Sequence, residues 1–455
     1  LDNYYYVKFS LTVIIFSFII NFMKTRDIEK FKEKIQSFMA DLTAEMGRTE
    51  RRRYAELYVR GLLMDGDRKS VEPIAKRLAE ADVQALQQFV NQSPWSFPTV
   101  RASLSRKLED ELVPSAYWII NEVFFPKKGV HSAGVAYQYC RKPDKTTNCQ
   151  VAVKLDLGTE ELTMPLSWAL YLPEEWIHDA PRREKAAIPE EIVYKNKTEL
   201  ALELIDQAVN WGLQRRLVLA DPVFGSDHAF RQGLRSRRLD YLVQVDGHGN
   251  CFRCDSYPIG FLMKKARKPA KLSGAAPFKQ LQTFQEISNS LSHENWKTVI
   301  SREGTKEPMS SQFARITICA AESLRQGENA FEQLLIERPE GKRGPEGFWL
   351  SSLNLSTSLR TMVKGAKGRF RVENDFHEMK TELGLGHFEG RSWQGWHHHV
   401  TLVAIAYGIW LLEKIQEKKN FWIDPALCPP LDPAPAVSAG HESPVRLFRR
   451  TKIKG

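Results

Sequence analysis

Four short apolar runs crowd into the stretch from residue 117 to residue 173: YWIINEVFF, AGVAYQYC, CQVAVKLDL and MPLSWALYLP. Their lengths and their many β-branched and aromatic residues predict strands. A helical segment at 198–211, a strand at 216–220 (RLVLA), a helix around 227–237 and a strand at 240–245 (DYLVQV) follow. Strands followed by alternating helices and strands predict an α/β fold with a mixed sheet.

The flanks read differently. Residues 27–95 are helical in pattern, with Ile28, Phe31, Ile35, Phe38 and Met39 at three- and four-residue spacing. The cluster Arg48, Arg51, Arg52 and Arg53 suits DNA phosphates or a solvated charged face equally. Residues 246–350 interrupt the α/β pattern with basic, Gly/Pro-punctuated sequence (KKARKPAK at 264–271) and later strands ARITICAA and FEQLLIERP, so a β-rich insertion is expected there. Helical sequence returns from about 357 to 417. Within it Val400 to Leu412 is too short to span a bilayer and is expected to be a buried helix. Phe9 to Phe22 is nearly unbroken apolar sequence without a following cleavage site, and residues 1–22 are read as lying upstream of a start at Met23. The expected organisation is a helical domain at 23–110, an α/β domain at 111–420 carrying the insertion, and a Pro-rich, basic tail at 421–455.

The chain has 455 residues, 42% apolar and 26% charged, which is enough to bury a sizeable core without disulfides. Its six sparse cysteines suit a reducing compartment. A net charge of +10 points to a polyanion, nucleic acid before membrane. No GxGxxG, Walker or GxSxG pattern stands in the right context, which removes nucleotide-cofactor and serine-hydrolase chemistry. Cys251-x-x-Cys254 lacks a second ligand pair and reads as two ordinary thiols rather than a zinc site.

Three acids are candidates for chemistry. Asp221 directly follows RLVLA, at the carboxyl end of a strand, where α/β sheets form their sites; a turn or N-cap aspartate is the plainer alternative. Glu122 ends YWIINE among apolar neighbours, where a buried acid needs a cation or donor; otherwise it is an edge-strand residue facing water. Glu373 lies in KGRFRVENDFHEMKTELG, where Arg369, Glu373, His377 and Lys380 share one helical face; a salt-bridged surface helix is the plainer alternative. Carboxylates such as these could hold two Mg²⁺ ions that activate a nucleophile and stabilise a leaving oxygen in phosphodiester cleavage.

Several stretches resemble the DDE transposases of bacterial insertion sequences, of the insertion-sequence 701 type. They are VENDFHEMKTELGLGHFEGRSWQGWHHHVTL (Val372 to Leu402), FPKKGVHSAGVAYQYC (125–140) with NCQVAV (148–153), ELYVRGLLMDGDRKSVEPIA (56–75) with SPW (93–95), and ADPVFG (220–225). The resemblance implies a ribonuclease H-like core and DNA transposition, with Glu122, Asp221 and Glu373 as catalytic residues and ligands of two Mg²⁺ (or Mn²⁺) ions. It implies DNA contacts from Arg369, His377, Lys380, Arg391 and Trp393, and places His397–His399 near DNA or at a helix cap. The implied partners are double-stranded element ends and target DNA, gripped by a homodimer, in the bacterial cytoplasm at the nucleoid and away from membrane. The family's DDTGFPKKG is NEVFFPKKG here, at Asn121–Gly129, so the first acid falls on Glu122 with the neighbouring Thr and Gly replaced. That departure implies weakened cleavage, and a DNA-binding remnant is the alternative function.

Overall fold

A computed structural model describes residues 25–112, 117–140, 144–159, 162–254, 281–302, 309–325, 331–342, 344–369 and 371–423. The apolar start (1–22), the KKARKPAK run and the Pro-rich tail lie outside them.

Among the described residues, five helices come first: α1 (Thr25–Thr43), α2 (Thr49–Leu63), α3 (Val71–Arg77), α4 (Val83–Asn91) and α5 (Phe97–Glu111). Asp82 starts α4 by accepting from Ala85 N, and Ser96 starts α5 by accepting from Thr99 N, with Pro98 in its first turn. Val100, Leu104 and Leu108 recur at steps of four along α5 and are buried. The arginine cluster has local employment: Arg51 and Arg52 donate to the carbonyls of Met46 and Ala44, and Arg53 to that of Glu80.

Strands β1 (Tyr117–Pro126), β2 (Ala136–Cys140), β3 (Lys145–Gly158) and β4 (Thr163–Leu170) come next, then short helices α6 (Glu174–His178) and α7 (Ala180–Lys185). The chain continues through α8 (Lys197–Asn210), β5 (Leu217–Ala220), α9 (Pro222–Gly225), α10 (His228–Ser236) and β6 (Tyr241–Val245). Strand β1 is interior, antiparallel to β3 and parallel to β5, which is parallel to β6. This is the mixed α/β sheet expected from the sequence, and it is consistent with a ribonuclease H-like core.

The segment after β6 adds β7 (Asn250–Arg253), β8 (Leu281–Thr283), α11 (Phe284–Ser290), β9 (Lys297–Arg302), β10 (Met309–Ala320), α12 (Ala321–Arg325), β11 (Phe331–Pro339) and β12 (Gly347–Ser351). These strands continue the same sheet. Its order is β2-β3-β1-β5-β6-β12-β11-β10-β7-β8, with β4 on β3 and β9 on β10, because β12 pairs antiparallel with β6.

Helices α13 (Leu359–Gly368), α14 (Arg371–Thr381) and α15 (Trp393–Ile423) complete the chain. Tyr117, Ile119, Leu219, Leu242 and Trp349 from the sheet pack with Met362, Val363, Ala366 and Val372 from α13 and α14. Every residue from His397 to Leu411 of α15 is buried, which accounts for the apolar run at Val400. Among the described residues no helix is long and apolar enough to cross a membrane. Contacts divide the chain into two units, the second beginning at Leu412.

Candidate active site and the two faces of strand β1

A pocket of about 550 Å³ opens at the carboxyl ends of β1 and β5, and its lining includes Asn121, Glu122, Phe124, Asp221, Gln244, Arg369, Glu373, His377 and Lys380. Six of the eight residues singled out from the sequence therefore gather in one place. Asp221 is both a pocket residue and an N-cap: its Oδ1 accepts from Val223 N at 2.9 Å and starts α9.

Glu373, His377 and Lys380 lie on α14, and Arg369 directly follows α13. Helix α13 ends at Gly368 with Arg369 as its C-cap, and α14 begins at Arg371. Arg369 is buried; its Nη2 donates to Gln244 Oε1 at 2.8 Å, and its Nη1 lies 4.0 Å from Glu373 Oε1. Lys380 Nζ donates to the Phe124 carbonyl at 3.1 Å and stands 4.9 Å from the ring centroids of Phe124 and Phe376. Burial lowers its pKa from the ordinary lysine value.

Strand alternation sorts the first acid motif. Tyr117 and Ile119 face α13 and α14, so Asn121, Val123 and Phe125 share that face; Phe125 meets Phe376 of α14 and Trp396 of α15. Ile119 pairs with Leu219, and two residues further along both parallel strands stand Asn121 and Asp221. Glu122 points to the other face, where its Oε2 meets Lys197 Nζ at the start of α8 at 2.6 Å. Glu122, expected as a metal carboxylate beside Asp221 and Glu373, lines the same pocket as both but is ion-paired to Lys197, and the residue on the face of Asp221 is Asn121. The plainer alternative for Glu122 is set aside, because β1 is not an edge strand.

Beneath Asn121 lies charge that water does not reach. Lys154, its partner across β1 and β3, pairs with Asp156 at 2.8 Å, both fully buried. Burial raises the Asp156 pKa to about 6 against the pull of Lys154. Asp375 of α14 accepts from Thr163 N at 2.8 Å.

Asn121 presents a neutral amide to the pocket beside Asp221. Among the described residues no group of three or more His, Cys, Asp or Glu side chains could hold a metal ion. Asp221 and Glu373 remain as hard donors, but the set does not fit two divalent ions. Cys251 and Cys254 are both buried, and burial pushes the Cys251 thiol up, away from the thiolate that zinc requires.

Trp393, expected at DNA, is buried; its backbone N–H donates to Ala186 O at 2.8 Å and its ring meets His397 edge to face. His397, His398 and His399 are buried as well and hold the core together. His399 Nδ1 lies 2.9 Å from Tyr58 Oη and its Nε2 lies 3.3 Å from Leu385 O, so Nε2–H donates and Nδ1 accepts. His398 lies between the carbonyls of Val90 and Trp95 and stacks on Trp95 with ring centroids 3.7 Å apart. His397 Nδ1 faces Arg101, whose guanidinium also donates to Thr401 Oγ1 and Trp168 O, each at 2.8 Å. A buried arginine on α5 gave no periodic signal that could have revealed it. Arg391 is exposed and lines a different cleft.

Residues 41–308 match the family described as DDE superfamily endonuclease. A probable transposase for insertion sequence element IS701 from Microchaete diplosiphon is 30% identical over 188 residues, 41% of this chain and 46% of that protein. The match thus spans less than half the length of that relative.

Proposed function

We propose that this chain, which belongs to the DDE superfamily of endonucleases, is an insertion-sequence transposase that still binds DNA ends but has lost most of its strand-cleaving capacity. Members of the superfamily generally use divalent metal ions. The observation that carries the reading is the orientation of β1: Asn121 stands on the face of Asp221, while Glu122 is held by Lys197 on the other face.

DNA would enter at the pocket. Arg369 and the exposed His377 would meet phosphates there, and Lys380, anchored on Phe124, would act chiefly by holding α14 against the strand end. Two copies gripping paired ends follow from the family's way of working. A second reading, a cleavage-competent transposase, has one observation in its favour: Glu122 also lines the pocket.

The test is Mg²⁺-dependent nicking of duplexes carrying the element's own ends. The unaltered chain is compared with an Asn121→Asp, Glu122→Asp, Val123→Thr, Phe124→Gly variant. We expect DNA binding by both proteins and at least about a hundredfold faster nicking by the variant, the order of a lost charge-stabilising group. Equal, robust nicking by both would establish the second reading.

A further inference from the structure

A second cleft, of about 740 Å³, opens just beyond the end of β1. Its walls come from three distant parts of the chain: Asp67 and Arg68 between α2 and α3, the turn Pro126–Ser132, and the segment Gly386–Arg391. All three are braced. Asn148 Nδ2 donates to the carbonyls of Lys127 and Gly129 at 2.7 and 2.9 Å, and Lys127 N donates back to Asn148 O at 3.0 Å. Ala133 N donates to Arg391 O at 2.9 Å, and Lys69 N to His387 Nδ1 at 3.0 Å.

The cleft carries more positive than negative charge. Arg68, Lys127, Lys128 and Arg391 stand against Asp67 and Glu389, and Arg68 is already paired with Glu389. Lys127 Nζ is turned inward to Phe388 O at 2.8 Å. Burial brings its pKa down to about 8, with Glu389 pulling the other way. A positive field, from Arg68 and Lys69, adds to burial in lowering His387. Nothing stands within 4 Å of where a side chain would begin at Gly129 or Gly386, so a bulky ligand can approach the backbone at both.

Position identifies the ligand. The cleft begins at Pro126, two residues after Phe124 of the first pocket. From Asn121 to Lys127 the chain advances roughly 20 Å at ~3.3 Å per residue, or about six base steps at ~3.4 Å each. Phe388, the phenyl ring in the lining, is buried, so the cleft offers charge rather than a stacking platform for bases.

We propose that this cleft binds the sugar–phosphate backbone of double-stranded DNA about half a helical turn from the Asp221 pocket, with Lys128 and Arg391 on phosphates. The proposal rests on the DNA-binding reading above and adds to it a sequence-independent clamp outside the reaction pocket.

The test measures duplex binding by the full chain over a salt series, using fluorescence anisotropy. A Lys128→Ala/Arg391→Ala variant removes two exposed cations, so it should fold; circular dichroism melting checks that. The slope of log affinity against log salt should become shallower by about 1.8, at ~0.9 per phosphate contact, and equally on unrelated sequences. A Lys185→Ala/Arg215→Ala variant, which removes the same charge elsewhere, should keep the slope of the unaltered chain. If the cleft variant keeps that slope too, or both variants lose it alike, the clamp is overturned while DNA binding stands. If the unaltered chain shows no salt-dependent binding, both proposals fall.

Discussion

A buried arginine and three buried histidines show how single side chains set the stability of this protein. Arg101 is 2% exposed and donates to Thr401, Trp168 and His397, bonds that join α5, β4 and α15. Arg101→Ala leaves buried acceptors without their donor and should cost about 1–3 kcal/mol of unfolding free energy; urea titration measures it. Burial brings His398 down to about 4 and His399 to about 3, against an unfolded value near 6.5. An unfolded chain then binds more protons than the folded one over that interval. The histidine contribution is complete above pH ~6.5 and is lost as pH falls toward the folded values. Asp156, raised to about 6, acts with the opposite sign: its contribution is present below its unfolded value near 3.9 and lost as pH rises through about 6. It offsets part of the histidine loss between about pH 4 and 6. Melting temperatures should therefore fall from pH 7 to pH 5, less steeply for His398→Asn, and a flat profile would contradict this account.

At the scale of elements, the connection from α14 to α15 depends on one glycine. Gly384 has φ +64°, and a Cβ there would sit 2.3 Å from Lys69 Cβ. Gly384→Ala should destabilise by about 1–3 kcal/mol, from left-handed backbone strain and the clash. Thermal melting measures it, and a neutral result would mean that the loop can re-route. The sequence announced strands such as FEQLLIERP, which coincides with β11. It was silent on β7, β8, β9 and β12, each six residues or shorter, because their identity as strands comes from partners far along the chain. Six of the residues it singled out line one pocket, but it left the direction of β1 open. YWIINEVFF is apolar on both faces because helices cover both, so alternation could not say whether Asn121 or Glu122 looks toward Asp221.

Across the molecule, the strands after β6 are tied into the α/β core by charge as well as by pairing. Glu332 of β11 is 1% exposed; it lies 3.2 Å from both Arg231 Nε and Arg235 Nη2 of α10 and accepts from Tyr241 Oη of β6 at 2.6 Å. Burial would raise its carboxyl, but the two arginines and Tyr241 outweigh this and hold it below the ordinary value. Glu332→Ala removes a buried counter-charge shared by both guanidiniums, with Arg231 keeping Glu322 at 3.7 Å, and should cost about 3–5 kcal/mol. Unfolding should remain a single transition when followed at once by tryptophan fluorescence and by circular dichroism; two separated transitions would mean that the inserted strands fold independently.

Helix α15 closes the core last in another sense. His398 lies between carbonyls 308 and 303 positions earlier, and His399 reaches Tyr58, 341 positions earlier. A ribosome makes the chain from its amino end, so α1–α5 and the first sheet strands leave the exit tunnel with their apolar surfaces uncovered. They wait at ~5–20 residues per second for the segment that covers them. The fold thus completes only after synthesis has passed α15, and a chain cut short before residue 393 would have no helix to cover those surfaces.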